Sequence, residues 1–345
     1  MNVGGGATSA RLLRALVVAV ALTVATIGVV LMGRPAFAPS SDSPAKPVAR
    51  PTLPIPMPTW AQLTASKELI WVLVANTVLF RSTDRGNSWA QRPLPTTDGG
   101  YLPEISFADL NNGWYSTGGS PETQCNGAGT AIWRTTDGAA TWRQVALVPG
   151  SSGIGYPQCK EGLSFIDETH GFLAAWDDNH LPSIYRTADG GKSWMAATLP
   201  DPPGFTTQAG GFRLRAGLVR AFGSTLLVPA WGMQPGAQAG TEYVFGSIDG
   251  GATWTYLATT GGGINNVTFV SASRWLELIG PRQSVETTDA GKTWHPYPSD
   301  YSQAAPVAPQ IVFGDSLVGY ATVRGSIQRS IDGGMHWSYI KTPGT

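Results

Sequence analysis

The chain has 345 residues, of which 42% are hydrophobic and only 13% charged, with 43 glycines, 26 prolines and 13 tryptophans. That much apolar surface can bury a core and excludes a disordered chain, and the charged fraction lies well below the ~25% usual for globular proteins. The 23 basic residues balance 23 acidic ones, so no overall field draws nucleic acid or an anionic membrane, and electrostatic recognition is confined to local patches.

In chain order, Arg11 and Arg14 precede an uncharged apolar run over 15–32, followed by Ala36-Phe37-Ala38, a small-x-small pattern of the kind cut by signal peptidase. The run is also long enough to span a bilayer. Residues 1–38 therefore read either as a signal peptide or as an N-terminal membrane anchor, and both place the remainder outside the cytoplasm. With no cysteine near this segment, a lipid anchor is disfavoured. Residues 39–58, rich in proline and serine, read as an extended, semi-rigid linker that cannot pack a core.

From residue 59 to 345 the sequence repeats. Six octads follow the pattern Ser/Thr-x-Asp-x-Gly-x-Ser/Thr-Trp, each shown here with the residue before it: "RSTDRGNSW" (81–89), "RTTDGAATW" (134–142), "RTADGGKSW" (186–194), "GSIDGGATW" (246–254), "ETTDAGKTW" (286–294) and "RSIDGGMHW" (329–337). Their aspartates, Asp84, Asp137, Asp189, Asp249, Asp289 and Asp332, are spaced 53, 52, 60, 40 and 43 residues apart. A period of about 40 to 50 residues is that of propeller blades. Upstream of four octads lie strand-turn-strand segments such as "ISFADLNNGWYSTGG" (105–119) and "LSFIDETHGFLAAW" (163–176), with Gly113, Gly171 and Gly319 placed for a positive-φ turn position. The expected unit is four antiparallel strands, A to D, with the octad in the C–D turn. Residues 59–65 and 69–76 supply strands A and B of the first unit. The fold class is all-β, a propeller of four-stranded blades, six by this count, with a seventh left open.

Within each octad the aspartate is expected to accept backbone N–H bonds that fix the turn, the glycine to supply a conformation other residues resist, and Trp89, Trp142, Trp194, Trp254, Trp294 or Trp337 to pin the turn to the sheet. Two copies depart from the pattern: Ala139 replaces the glycine in the second and His336 the hydroxyl residue in the sixth.

The octads resemble the Asp-box, or bacterial neuraminidase repeat. The fuller blade pattern, Phe-x-Asp-x-x-x-Gly-aromatic followed by Arg-Thr-x-Asp-Gly-Gly-x-Ser/Thr-Trp, looks most like the photosystem II stability and assembly factor family of exported propellers. That resemblance implies a protein-binding or assembly scaffold without catalysis, with an extracytoplasmic or membrane protein as partner. Asp-boxes also occur in sialidases and other glycosidases, which implies as alternatives a glycoside hydrolase or a carbohydrate-binding propeller.

Sialidase chemistry needs three arginines clasping a carboxylate, a tyrosine activated by a glutamate, and an acidic proton donor. The Arg-Ile-Pro element that normally supplies one arginine has as its nearest match Pro54-Ile55-Pro56, without arginine. Arg81, Arg134, Arg186 and Arg329 share one repeat position before an octad and read as turn packing. The expectation leans away from an enzyme.

On the face opposite the octads three candidates remain. Cys125 and Cys159 are expected to emerge side by side and form a disulfide, closing a loop worth ~4 kcal/mol in the chain-entropy model. Asp177, Asp178 and His180, in "WDDNH", form an acidic B–C loop. Arg213, Arg215, Arg282 and Arg324 form a local positive patch at the channel mouth, suited to an acidic protein segment or a carboxylate. No metal-ligand spacing, cofactor motif or nucleic-acid signature appears, and the membrane enters only through the N-terminal segment.

Overall fold

The computed structural model describes residues 61–96, 101–118, 129–156, 158–177, 180–204, 213–233, 239–260, 267–279, 283–302, 310–323 and 326–341. All of them belong to the unit Leu53–Thr345. They contain no helix long and apolar enough to cross a membrane.

Alternating apolar and polar residues make strands, and tight turns join them into six antiparallel sheets, each built from consecutive strands. Blade 1 is Ala61–Ser66, Leu69–Val74, Val78–Ser82 and Ala90–Arg92. The innermost strands of the others are Tyr101–Phe107, Cys159–Phe165, Arg213–Ala216, Val267–Phe269 and Ile311–Phe313. These six inner strands line one central channel. The fold is thus a six-bladed β-propeller. Blade 4 has a fifth strand, Arg220–Phe222, which resumes the inner strand after a break. At the break the Gly217 N–H bonds to the Pro229 carbonyl at 2.8 Å. Proline has no N–H to return, so the ladder cannot continue there.

Each octad forms the same hydrogen-bonded turn. In the first, Ser82 Oγ donates to Asp84 Oδ1 at 2.7 Å and accepts the Gly86 N–H, while Ser88 donates its N–H to Oδ1 and its hydroxyl to Oδ2. In the sixth, His336 Nδ1 lies 2.6 Å from Asp332 Oδ2, so the imidazole occupies the place of the missing hydroxyl. These bonds hold the carboxyls of Asp84, Asp137, Asp189 and Asp289 down at about 2 and lower those of Asp249 and Asp332. Both residues after the aspartate have positive φ in all six turns, including Arg85, Ala139 and Ala290; the sequence pointed to the second position alone. Trp194 and Trp254 are buried, whereas the other four octad tryptophans are only half-buried.

Gly113, Gly171 and Gly319 do not occupy positive-φ turns as expected. Each opens a B strand, and a Cβ there would run into the ring of Phe107, Phe165 or Phe313. Those rings are the inter-blade core: Phe107 stacks on Trp71 of blade 1 at 3.7 Å, and Phe165 on Trp114 of blade 2 at 3.6 Å.

Three of the four arginines before the octads reach forward to the next blade. The Arg81 guanidinium sits over Gly138 of the second octad and Arg134 over Gly190 of the third. Arg329 donates to the Arg85 carbonyl of blade 1 at 2.6 Å, helping to close the ring. In blade 5 a glutamate, Glu286, stands at this position. Arg274 of the adjoining strand pairs with it at 2.5 Å and supplies the reach, donating to the Gly333 carbonyl. The ring is also closed by the Trp89 indole N–H bonding to the Lys341 carbonyl and by the Lys67 N–H bonding to the Gly314 carbonyl.

Candidate functional site

The octad turns bond to the A–B turns, as in Arg85 N–H to the Glu68 carbonyl and Gly190 N–H to Thr169. Both therefore lie on one face, as the sequence implied. Inner strands begin on the opposite face, and the site is there, at the first turns of the channel wall. The channel encloses about 550 Å³, within the range of small-ligand pockets.

The wall is stitched by polar side chains from one blade to the inner strand of the next. Gln62 accepts the Ile105 N–H at 3.0 Å, and Gln310 accepts the Leu63 N–H at 2.5 Å. Glu104 accepts both the Gly162 and Leu163 N–H groups, at 2.8 and 2.9 Å. Glu242, 1% exposed, accepts the Val267 N–H at 3.0 Å, and the Thr268 hydroxyl donates to the Ile311 carbonyl. Gln62, Glu104 and Gln310 stand at one repeat position, opposite Leu73, Ser116 and Thr322 of their B strands. Enclosure pushes the Glu104 carboxyl up to about 7 against the pull of its two N–H donors.

At the same position in blade 3 stands Glu161, opposite Ala174. Here the pattern breaks. Gly162, with φ of +73°, bulges the strand, and a Cβ on it would lie 2.8 Å from the Gly217 carbonyl of blade 4. The equivalent position in blade 4 is Gly217 itself, with no side chain to offer. Among the described residues Glu161 accepts no backbone N–H from blade 4. Burial pushes its carboxyl up, opposed by the charge of Arg215. The Arg215 guanidinium lies 3.4 Å above the Trp176 ring and 5.8 Å from that of Trp231. Glu161, Arg215, Trp176 and Trp231 thus gather where blades 3 and 4 meet, beside the channel's open end.

Arg215 is the one member of this group that the sequence singled out. It is not part of a solvated positive patch, because two indoles and a carboxylate surround it. Arg213 opens the inner strand of blade 4, its side chain outside the described residues, and Arg282 and Arg324 lie outside them altogether. Asp177 and His180 face each other as the last paired residues of a hairpin rather than in a free loop; their side chains, and Asp178, lie outside the described residues. Cys159 is buried and is not a free thiol. Cys125 lies outside the described residues, as does its proposed bond.

Glu161, Trp176, Trp231, Glu104 and Glu242 were missed. A signal was available for two of them: "QLTA", "EISF", "EGLSF" and "QIVF" place Gln or Glu at one phase of the repeat, and aligning the blades on that phase finds Glu104 and Glu161 beside Gln62 and Gln310. Trp231 has no such signal, because blade 4 lacks the Phe-x-Asp turn. Among the described residues no three His, Cys, Asp or Glu side chains gather as metal ligands.

No family model matches the chain. Among characterised proteins it is similar to a xyloglucanase of Hypocrea jecorina, 25% identical over 288 residues, which cover 69% of this chain and 32% of that one. A Paenibacillus xyloglucanase is 28% identical over 180 residues, 46% of this chain and 16% of the other. The chain spans no more than a third of the length of these relatives. Among solved structures, the alpha-L-arabinanase of Penicillium chrysogenum superposes with a TM-score of 0.53 at 13% identity, covering 79% of this chain and 92% of that one. The alpha-L-arabinofuranosidase of Fusarium graminearum gives 0.51 at 14%, covering 80% and 94%. YCF48 from Cyanidioschyzon merolae gives 0.47 at 16%, covering 81% and 97%. The propeller fold is therefore shared with carbohydrate-active enzymes.

Proposed function

We propose that this chain is an exported, non-enzymatic binding propeller that holds a glycan at the channel end opposite the octads. The observation that carries the reading is the group at the blade 3–4 junction, where Glu161, Arg215, Trp176 and Trp231 replace the stitch made at the other junctions. Indole faces pack against sugar rings, while a carboxylate and a guanidinium serve hydroxyl groups. The similarity to xyloglucanases supports a polysaccharide of that kind as ligand.

Binding rather than hydrolysis follows from the carboxylates. Hydrolysis requires two of them across the scissile bond, one as acid and one as base or nucleophile. Of the three that line the channel among the described residues, Glu104 and Glu242 are held by backbone N–H groups of the neighbouring blade, which leaves Glu161 without a second there. The test is calorimetry with xyloglucan and arabinan oligosaccharides alongside an assay for released reducing ends. Binding weakened at least tenfold by Trp231→Ala, with no reducing ends released, is the expected result. Turnover abolished by Glu161→Gln would instead establish a hydrolase.

A second reading, a scaffold for an extracytoplasmic or membrane protein, is favoured by the blade pattern "FxDxxxG-aromatic" that the chain shares with the photosystem II assembly factors. Recovery of one membrane protein by the wild type, lost on Arg215→Glu, together with no sugar binding, would decide for it.

A further inference from the structure

Arg220 belongs to none of the patterns above. It opens the resumed inner strand of blade 4, near the octad end of the channel, and it lines the same cavity as Glu161 and Arg215. Its Nη2 donates to the Phe313 carbonyl at 2.7 Å. Phe313 is in blade 6, so the side chain spans the lumen between two blades that are not neighbours. It forms a floor, and the channel becomes a pocket entered from the end opposite the octads.

The floor is positively charged. Among the described residues Arg220 has no carboxylate partner and one hydrogen bond, to a neutral carbonyl. A guanidinium carries five N–H donors. Its Nε and Nη1 are accessible rather than sealed in the wall. Each channel carboxylate is engaged elsewhere: Glu104 and Glu242 by backbone N–H groups, Glu161 beside Arg215 and Trp176. An enclosed cation without a counter-charge is unfavourable. The second Nη2 N–H together with that of Nε or Nη1 makes one edge of the guanidinium, a fork that matches the two oxygens of a carboxylate.

The geometry points to Arg220 as the anion-binding floor of the channel, receiving the carboxylate of a uronic-acid residue at the end of a glycan chain. This rests on the glycan reading and deepens it: a chain that ends in a uronic acid gains this contact, a neutral xyloglucan or arabinan chain does not, and neither threads past the floor.

The test titrates the whole protein with glucuronate, its methyl ester and propionate, following binding by calorimetry and Tm. Glucuronate is expected to bind at least tenfold more tightly than the ester. The difference should vanish in Arg220→Gln and be partly kept in Arg220→Lys, which retains charge without the fork. Arg220→Gln should melt no lower than wild type without ligand, because it removes an unpaired enclosed charge. Equal binding of acid and ester overturns the anion floor and leaves the glycan reading standing. Propionate binding that depends on Arg220, with no added affinity for glucuronate, upholds the floor and overturns the glycan reading. No response to either carboxylate overturns the inference, and the acid-to-ester ratio in wild type decides it even if the variants fail to fold.

Discussion

Between blades 2 and 3, Glu104 binds two inner-strand N–H groups, Arg134 reaches the next octad and Trp114 stacks flat on Phe165. Between blades 3 and 4 the corresponding glutamate, Glu161, accepts no such bond and Arg186 makes no such reach among the described residues. That junction is held by apolar packing, with Phe172, Leu214, Ala216, Leu226 and Trp254 in one buried cluster. The same repeat position therefore holds the ring together in one place and makes no such bond in the next. The difference comes from the bulge at Gly162, which packs against the Gly217 carbonyl of blade 4.

Five substitutions break or sharpen this contrast. The largest effect is expected from Trp114→Ala, which removes a fully buried ring and its stacking partner's support. It should cost about 3 to 5 kcal/mol in chemical denaturation. Next is Glu104→Ala, which leaves the Gly162 and Leu163 N–H groups without acceptors; a loss of roughly 2 to 4 kcal/mol is expected. Glu104 also sets a pH dependence. Its folded-state pKa, about 7, lies above the ordinary carboxylate value, so the folded state binds the proton more strongly. The contribution is complete below about pH 4.5 and is lost as pH rises through 7. Glu104→Gln should flatten the stability profile in that window, and an unaltered profile would show that the group does not titrate there.

Smaller is Asp189→Ala, whose carboxylate serves an exposed turn in the manner of a helix cap, with an expected cost of roughly 1 kcal/mol. The octad aspartates have folded pKa values held below the ordinary one. Their contribution is present above about pH 4 and is lost as pH falls toward 2, which an acid titration followed by tryptophan fluorescence checks. Smallest is Glu161→Gln, expected to change stability by less than about 0.5 kcal/mol while weakening sugar binding. A loss as large as that of Glu104→Ala would make Glu161 a stitch after all and remove the contrast.

The fold was legible because its signal is repeated: six octads carry the same hydroxyl, aspartate and tryptophan, and each reports its own turn. Blade count, strand order and the face bearing the octads all follow from that repetition. The site was legible only through Arg215. Glu161 becomes informative only once its counterparts Gln62, Glu104 and Gln310 are seen making bonds that it does not make. Arg220 was invisible because its blade departs from the repeat, and its role depends on a contact with Phe313, 93 residues away. Gly113, Gly171 and Gly319 misled for a related reason. A glycine after a turn is ambiguous between a backbone requirement and a lack of room, and here the neighbouring phenylalanine ring decides.

Each blade is drawn from one uninterrupted stretch of chain, and no sheet borrows a strand from the other end of the sequence. A single stretch of coding sequence can therefore be duplicated or deleted as a whole blade without splitting a sheet. The side chains that reach only to the next blade, such as Gln62, Glu104 and Arg134, travel with it. Propellers inherited in this way can change their number of blades between relatives while keeping each blade's chemistry. In such a lineage a new site needs only one blade to drift from its siblings.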